Sequence, residues 1–293
     1  MKPNVFFEND TVVLRAPRAF TPNVLFESGQ CFRFYPKNEE KTRYGGVAHG
    51  HYFEIELRGE EILFPNMTEK AFSSTFRDYF DLDFDYDACI LSFPKDEYLR
   101  SAVRSCGGMR ILHQEPFETL CSFILSQNNN IPRIRSLIEA LCAAYGEPIP
   151  HGEKTDYSFP SAEVLASASE AELRSLKVGF RAPYLLDAAR KVADGAVDFD
   201  KISALPTEEG LHELCKIKGV GVKVASCVLL FAFRKYDSFP IDVWMKKILS
   251  EHYPPDTDGA YFGPYAGIAQ QYLFHYERNL QNAPYAAERK TLP

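Results

Sequence analysis

An α+β chain is predicted, with a small N-terminal antiparallel β-sheet domain followed by a mostly α-helical body that contains a helix-hairpin-helix motif. Three observations predict it. The first 65 or so residues alternate short β-rich runs with Gly, Asn and Lys turns, and from about residue 69 the apolar residues recur at helical spacing. Between the two, nothing resembles a low-complexity linker or an internal repeat. The expected division is a sheet domain with flanking helices over 1–112 and a helical region over 113–293.

The elements follow in order. "TVVLRA", "CFRFYP", "HYFEIEL" and "EEILF" read as strands, and "GHYFEIELRGEEILF" as a hairpin. Phe72, Phe76, Tyr79 and Phe80 then mark a helix over 69–81. Further helices are expected over 97–105, 115–127, 131–145, 161–175, 182–194, 206–217, 222–233, 240–252 and 264–279, with Pro132, Gly146, Gly179, Pro183, Pro206, Pro240 and Gly263 as punctuation. The C-terminal "NAPYAAERKTLP" reads as a frayed tail.

The 293 residues are 45% apolar, enough to bury a substantial core. No apolar stretch approaches the ~18 residues of a membrane span, and the N-terminus lacks a signal-peptide core, so a cytoplasmic protein is expected, nucleoid-associated if bacterial, with no membrane partner. Seven scattered cysteines without paired spacing read as reduced thiols, and no metal site is expected. The net charge of −7 argues against a chain coated in basic residues, yet residues 211–250 hold seven Lys or Arg against three acids. Taken alone, such a local surplus is more often an ordinary solvated face.

That basic segment contains "IKGVGVKVASCVLLFAFRKYDSFPIDVWMKK". Gly219 and Gly221 permit a tight turn between two helices, whose outward N–H groups and following helix N-terminus suit a phosphate. An isolated Gly-x-Gly is usually a plain helical-hairpin turn; Lys216, Lys218 and Lys223 shift the balance toward DNA. Lys223 opens the second helix, where nearby cations and partial desolvation favour the neutral amine that a nucleophile requires. Asp242 lies 19 residues on, just after Pro240 at the start of the next helix, a common place for an acid and one from which it can be aimed back at the hairpin. Cys227, one turn after Lys223, either lines the same pocket or is core.

With these residues, "SGQCFRF" (28–34), "QEPFETLCSFILSQNNNIPRI" (114–134), "GFRAPYL" (179–185), "PIDVWM" (240–245) and "FGPYAGIAQQYLF" (262–274), the chain resembles 8-oxoguanine DNA glycosylases of the eukaryotic type, within the helix-hairpin-helix Gly/Pro-Asp superfamily of base-excision DNA glycosylases. No cysteine follows Cys227, which separates it from relatives carrying a C-terminal iron-sulfur cluster. The resemblance implies a bifunctional glycosylase and AP lyase acting on double-stranded DNA containing 8-oxoguanine, a monomer that needs no cofactor. It implies Lys223 as nucleophile and Asp242 as its electrostatic partner, and Gly29, Gln270, Phe274 and Cys227 around the extruded base. It also implies Asn128, Arg133 and Arg181 at the orphaned cytosine and Phe180 as a wedge in the base stack. Gly219, Gly221, Lys218 and Lys246 are expected along the DNA backbone. Trp244, where eukaryotic members usually have His, and Lys218, where Pro is frequent, depart from the pattern. A glycosylase for another oxidised purine and a noncatalytic helix-hairpin-helix DNA-structure binder stay open as alternatives.

Overall fold

The computed structural model describes residues 4–15 and 20–282; the tail expected beyond these lies outside the described residues. Six antiparallel strands form one sheet: β1 (Asn4–Glu8), β2 (Thr11–Arg15), β3 (Phe34–Pro36), β4 (Arg43–Ala48), β5 (His51–Arg58) and β6 (Glu61–Pro65), in the order β1-β2-β6-β5-β4-β3. The hairpin expected around "GHYFEIELRGEEILF" forms, pairing Arg58 with Glu61. Of "CFRFYP" only Phe34–Pro36 is strand, and the Pro22–Glu27 helix, which Pro22 opens at its first turn, interrupts the strand region.

The sheet's inner face is aromatic. Phe26 stacks on Phe34 with ring centroids 4.1 Å apart, and Phe53 meets Phe76 at 4.6 Å. Phe76 belongs to the segment expected as a helix over 69–81; it is helical from Glu69 to Tyr79, with a π-helical stretch at Phe72–Phe76 that turns Phe72 and Phe76 into the core. Val24, Phe32, Tyr86, Leu99 and Ile111 belong instead to the second core, shared with the helical body.

Within that body the Glu97–Ser105, Pro116–Ser126, Ile131–Tyr145, Ala182–Ala193 and Val222–Phe233 helices stand close to where periodicity puts them. The segment 161–175 is two helices, Ala162–Ala166 and Glu170–Ser175, because Ser169 and Glu172 form a capping box that starts a new helix. Strands β7 (Pro148–His151) and β8 (Lys154–Tyr157) pair as an unexpected hairpin, and Tyr86–Leu91 and Phe199–Ala204 are further short helices. The helix expected over 240–252 begins only at Val243, with Pro240 and Ile241 outside it.

A charged group lies between sheet and body. Arg33, 3% exposed at its side chain, faces Glu118 at 3.8 Å and Glu139 at 3.6 Å and donates to the Tyr157 carbonyl. Burial pushes the Glu118 carboxyl up to about 7, with Arg33 opposing the rise and Glu115 and Glu139 adding to it. A carboxyl raised in the folded state favours folding while protonated, so its contribution is complete below about 4.5 and is lost as pH rises to about 7. Wild-type stability is therefore expected to fall by about 1–3 kcal/mol across that window through this group. Urea denaturation at a series of pH values checks it: Glu118→Gln should flatten that part of the slope.

Candidate active site

One cleft of about 820 Å³ opens where the Ser28–Gln30 loop of the sheet region meets four segments of the body, and Gly29, Asn128, Lys223, Cys227, Asp242, Lys246, Gln270 and Phe274 all line it. The helical hairpin supplies Lys223. Gly219, at φ +79°, makes the turn, and a Cβ there would meet the Tyr184 ring at 2.3 Å, so both conformation and packing require glycine. Gly221 is extended and no protein atom crowds its missing side chain. As N-cap of the Val222–Phe233 helix it offers no side-chain cap, leaving the first helical N–H groups and the positive end of the dipole uncovered.

Lys223 lies in the first turn of that helix, half-buried, its Nζ 5.2 Å from the centroid of the Phe123 ring. One turn on, the Cys227 thiol is buried and lines the same cleft as Lys223. Burial pushes that thiol up to about 11, against the lowering effect of Lys223 and with a smaller push from Asp242. Asp242 is the N-cap of the Val243–His252 helix: its Oδ1 accepts from the Trp244 and Met245 N–H groups at 3.0 and 2.9 Å. Capping fixes the carboxylate at the cleft and leaves Oδ2 unspent by the helix. Trp244 forms part of the wall and Lys246 is exposed at the rim.

The opposite wall is built across the whole chain. Gly29, at φ +79°, stands against the last helix, and a Cβ there would come to 3.3 Å from Phe274 and 3.6 Å from Arg278 Nη1. Arg278 sits over the Phe274 ring at 5.4 Å and donates to the Glu27 carbonyl at 3.2 Å. Sequence reasoning missed Arg278, although Gln270, Phe274 and Arg278 share one helix face at four-residue spacing.

The remaining expected residues surround the cleft mouth. Asn128 adopts a left-handed φ of 49° in the turn between two helices, and Asn130 caps the second by accepting from Arg133 N at 3.0 Å. Arg181 is 8% exposed and turned inward: its Nε donates to the Gln127 carbonyl at 3.0 Å, and Nη2 to the Asn128 carbonyl at 3.1 Å. Arg133 Nη2 donates to the Lys177 carbonyl at 3.0 Å. Neither arginine lines the cleft. Phe180 is 49% exposed beside them, with the Arg181 guanidinium 4.4 Å from its ring centroid. Lys218 is exposed at the hairpin and its backbone N–H is held by Asp187 at 2.6 Å, while Lys216 pairs with Glu213, which reduces the free basic charge.

A helix-hairpin-helix with a lysine opening its second helix, and a capping aspartate across the same cleft, defines a base-excision DNA repair protein; the HhH-GPD superfamily model matches residues 121–261. The model for the N-terminal domain of 8-oxoguanine DNA glycosylase matches residues 13–120. The solved structure of MBOgg1 in complex with a low-affinity DNA ligand is 39% identical, covering 96% of this chain and 100% of that one at a TM-score of 0.90. The Clostridium acetobutylicum 8-oxoguanine glycosylase/lyase, solved with double-stranded DNA containing cytosine opposite 8-oxoguanine, is 34% identical over 96% of this chain and 100% of that one, at a TM-score of 0.90. The probable N-glycosylase/DNA lyase of Methanothermobacter thermautotrophicus is 29% identical over 258 residues, 76% of this chain and 82% of that one. The chain belongs to the 8-oxoguanine DNA glycosylase family.

Gly29 offers a direct check on the cleft wall. Gly29→Ala should lose about 1–2 kcal/mol from the left-handed backbone alone, read as a lowered urea midpoint with an unchanged slope.

Proposed function

We propose that this chain is a bifunctional DNA glycosylase and AP lyase that excises 8-oxoguanine, preferably opposite cytosine, from duplex DNA. The observation that carries the reading is the meeting of Lys223, Asp242, Gly29, Gln270 and Phe274 in one cleft, next to an uncapped helix N-terminus. That N-terminus, with Gly221 open to close approach, takes a backbone phosphate, and Lys218 and Lys246 add positive charge beside it. The extruded base stacks on Phe274 and is read along its Watson–Crick edge by Gln270. 8-Oxoguanine carries a hydrogen on N7 where guanine has a bare acceptor, so the Gly29 carbonyl rewards the lesion and opposes the normal base.

Neutral Lys223 attacks C1′ with its Nζ lone pair. The C1′–N9 bond breaks, its electron pair leaves with the base, and the base takes up a proton. Asp242 stabilises the positive charge that develops on the sugar and accepts a proton from the lysine nitrogen. Ring opening gives an imine at C1′; loss of a proton from C2′ then expels the 3′ phosphate and cuts the strand. The cleft residues do this with side chains alone, so the reaction as written requires no cofactor.

Opposite the lesion, Asn128 and Arg133 read the orphaned cytosine while Phe180 fills the stack. Arg181, tied to the Gln127 and Asn128 carbonyls, holds the turn that presents Asn128. Acting on DNA, the enzyme works in the cytoplasm, with the nucleoid as its place in a bacterium; among the described residues no helix is long and apolar enough to cross a membrane.

Borohydride trapping tests the reading. Wild type should form a covalent complex with an 8-oxoguanine duplex, and Lys223→Gln should bind it without trapping, since an amide cannot form the imine; trapping by the variant would remove Lys223 from its role. Arg133→Ala should reduce the preference for cytosine over adenine opposite the lesion by about tenfold, more than it slows excision opposite cytosine. Single-turnover excision against all four opposite bases measures this.

A further inference from the structure

Two consecutive glutamines on the last helix are buried against the same cleft, Gln270 at 3% exposure and Gln271 at 4%. Consecutive helical residues do not face each other, so a helix alone does not bring their amides together. Here they meet: Gln271 Nε2 donates to Gln270 Oε1 at 2.8 Å. The other end of Gln271 is unmated. Its Oε1 is buried without any hydrogen-bond partner, and so is Gln127 Nε2, a donor on another residue of the same cleft. A glutamine serving only the core would have both ends satisfied, because an orphaned buried acceptor is costly.

We propose that Gln271 is a second specificity-determining residue for the extruded base, its Oε1 accepting a hydrogen bond from the exocyclic 2-amino group of a guanine-type lesion. The proposal rests on the reading of Gln270 and Phe274 as the base pocket. A guanine-type edge offers an acceptor at O6, a donor at N1–H and a donor at the 2-amino group. The paired amides offer the complement: Gln270 Nε2 donates, the free lone pair of Gln270 Oε1 accepts, and Gln271 Oε1 accepts. The hydrogen bond between the amides fixes this order, since it places Gln271 beyond Gln270 Oε1 and away from Gln270 Nε2. An adenine-type lesion presents an amino donor and a bare N1 and carries only hydrogen at C2. It would leave Gln271 Oε1 unpaired in a closed site.

The comparison that isolates this contact uses 8-oxohypoxanthine, which is 8-oxoguanine without its 2-amino group. Single-turnover excision of both lesions opposite cytosine is measured for wild type, Gln271→Leu and Gln271→Ala. Wild type should prefer 8-oxoguanine by about tenfold, and both variants should slow on 8-oxoguanine several-fold more than on 8-oxohypoxanthine, so that the ratio falls toward one. Trp244, the sole tryptophan, lines the same cleft, so quenching of its emission by the two free bases should report the same ratio without catalysis. Equal wild-type rates on the two lesions, or equal slowing of both by the variants, would overturn the proposal even if the variants fold poorly, since the wild-type ratio stands by itself. Failure of wild type to excise 8-oxoguanine would overturn the functional reading and this inference together, whereas excision with an unchanged ratio in the variants overturns the inference alone.

Discussion

The side-chain amide of Gln30 is the interaction on which the site depends. It is fully buried, and it spans the seam between the sheet and the helical body. Its Oε1 accepts from Leu112 N at 2.8 Å, and its Nε2 donates to the Arg110 carbonyl at 3.0 Å and to Ser28 Oγ at 3.1 Å. Its own carbonyl accepts from Gln114 Nε2 at 2.7 Å, and Gln114 N in turn donates to the Phe231 carbonyl at the far end of the helix that carries Lys223. Gly29 is the next residue back along the chain. Without this clamp its carbonyl would have no fixed distance from Phe274 or from Lys223, and the one-hydrogen discrimination proposed for it requires a fixed distance.

A second clamp joins the same two halves from the other side. Asp81 is buried and accepts from Tyr86 and Tyr236 hydroxyls, each at 2.7 Å; His113 Nε2 lies 3.0 Å from the Tyr236 hydroxyl. Arg234 leaves its helix in a left-handed conformation and reaches Asp78 in the helix that covers the sheet. The buried Asp81, Tyr86 and His113 are thereby satisfied, which makes their burial tolerable, while the Arg234–Asp78 pair lies at the exposed edge. The sheet thus serves as a rigid brace for one loop of the active site.

The residues proposed as catalytic use ordinary helix-end chemistry for an unusual end. Asp242 caps one helix with Oδ1, so the same carboxylate that the fold needs is the one the cleft uses. Gly221 starts another helix with no side-chain cap, giving up about a few tenths of a kcal/mol relative to a serine in return for exposed N–H groups. Cations near the hairpin are mostly engaged: Lys216 and Lys201 share Glu213, and Lys191 pairs with Asp187. On the proposed reading, an acidic protein meets a polyanion here through backbone dipoles and a few lysines.

The sequence by itself determined the sheet-then-helices order, the hairpin, and the placing of Lys223 and Cys227 on one helix face, because these depend on local periodicity and on residues close in the chain. The same local logic contains the Ser169–Glu172 capping box that divides one expected helix in two. The β7–β8 hairpin escaped it because Pro148 and Pro150 suppress any strand reading, although both fit a short edge ribbon. Only the tertiary structure decided that Gly29 faces Phe274, that Arg181 turns inward to carbonyls, that Arg278 closes the pocket, and that two neighbouring glutamines meet. The first three are set by contacts between segments far apart in sequence, and the fourth by a hydrogen bond between side chains that helix geometry alone does not bring together. Gln30 explains why: in the sequence it is one polar residue in a loop, and its meaning comes from partners some 80 residues away that only a packed core brings within 3 Å.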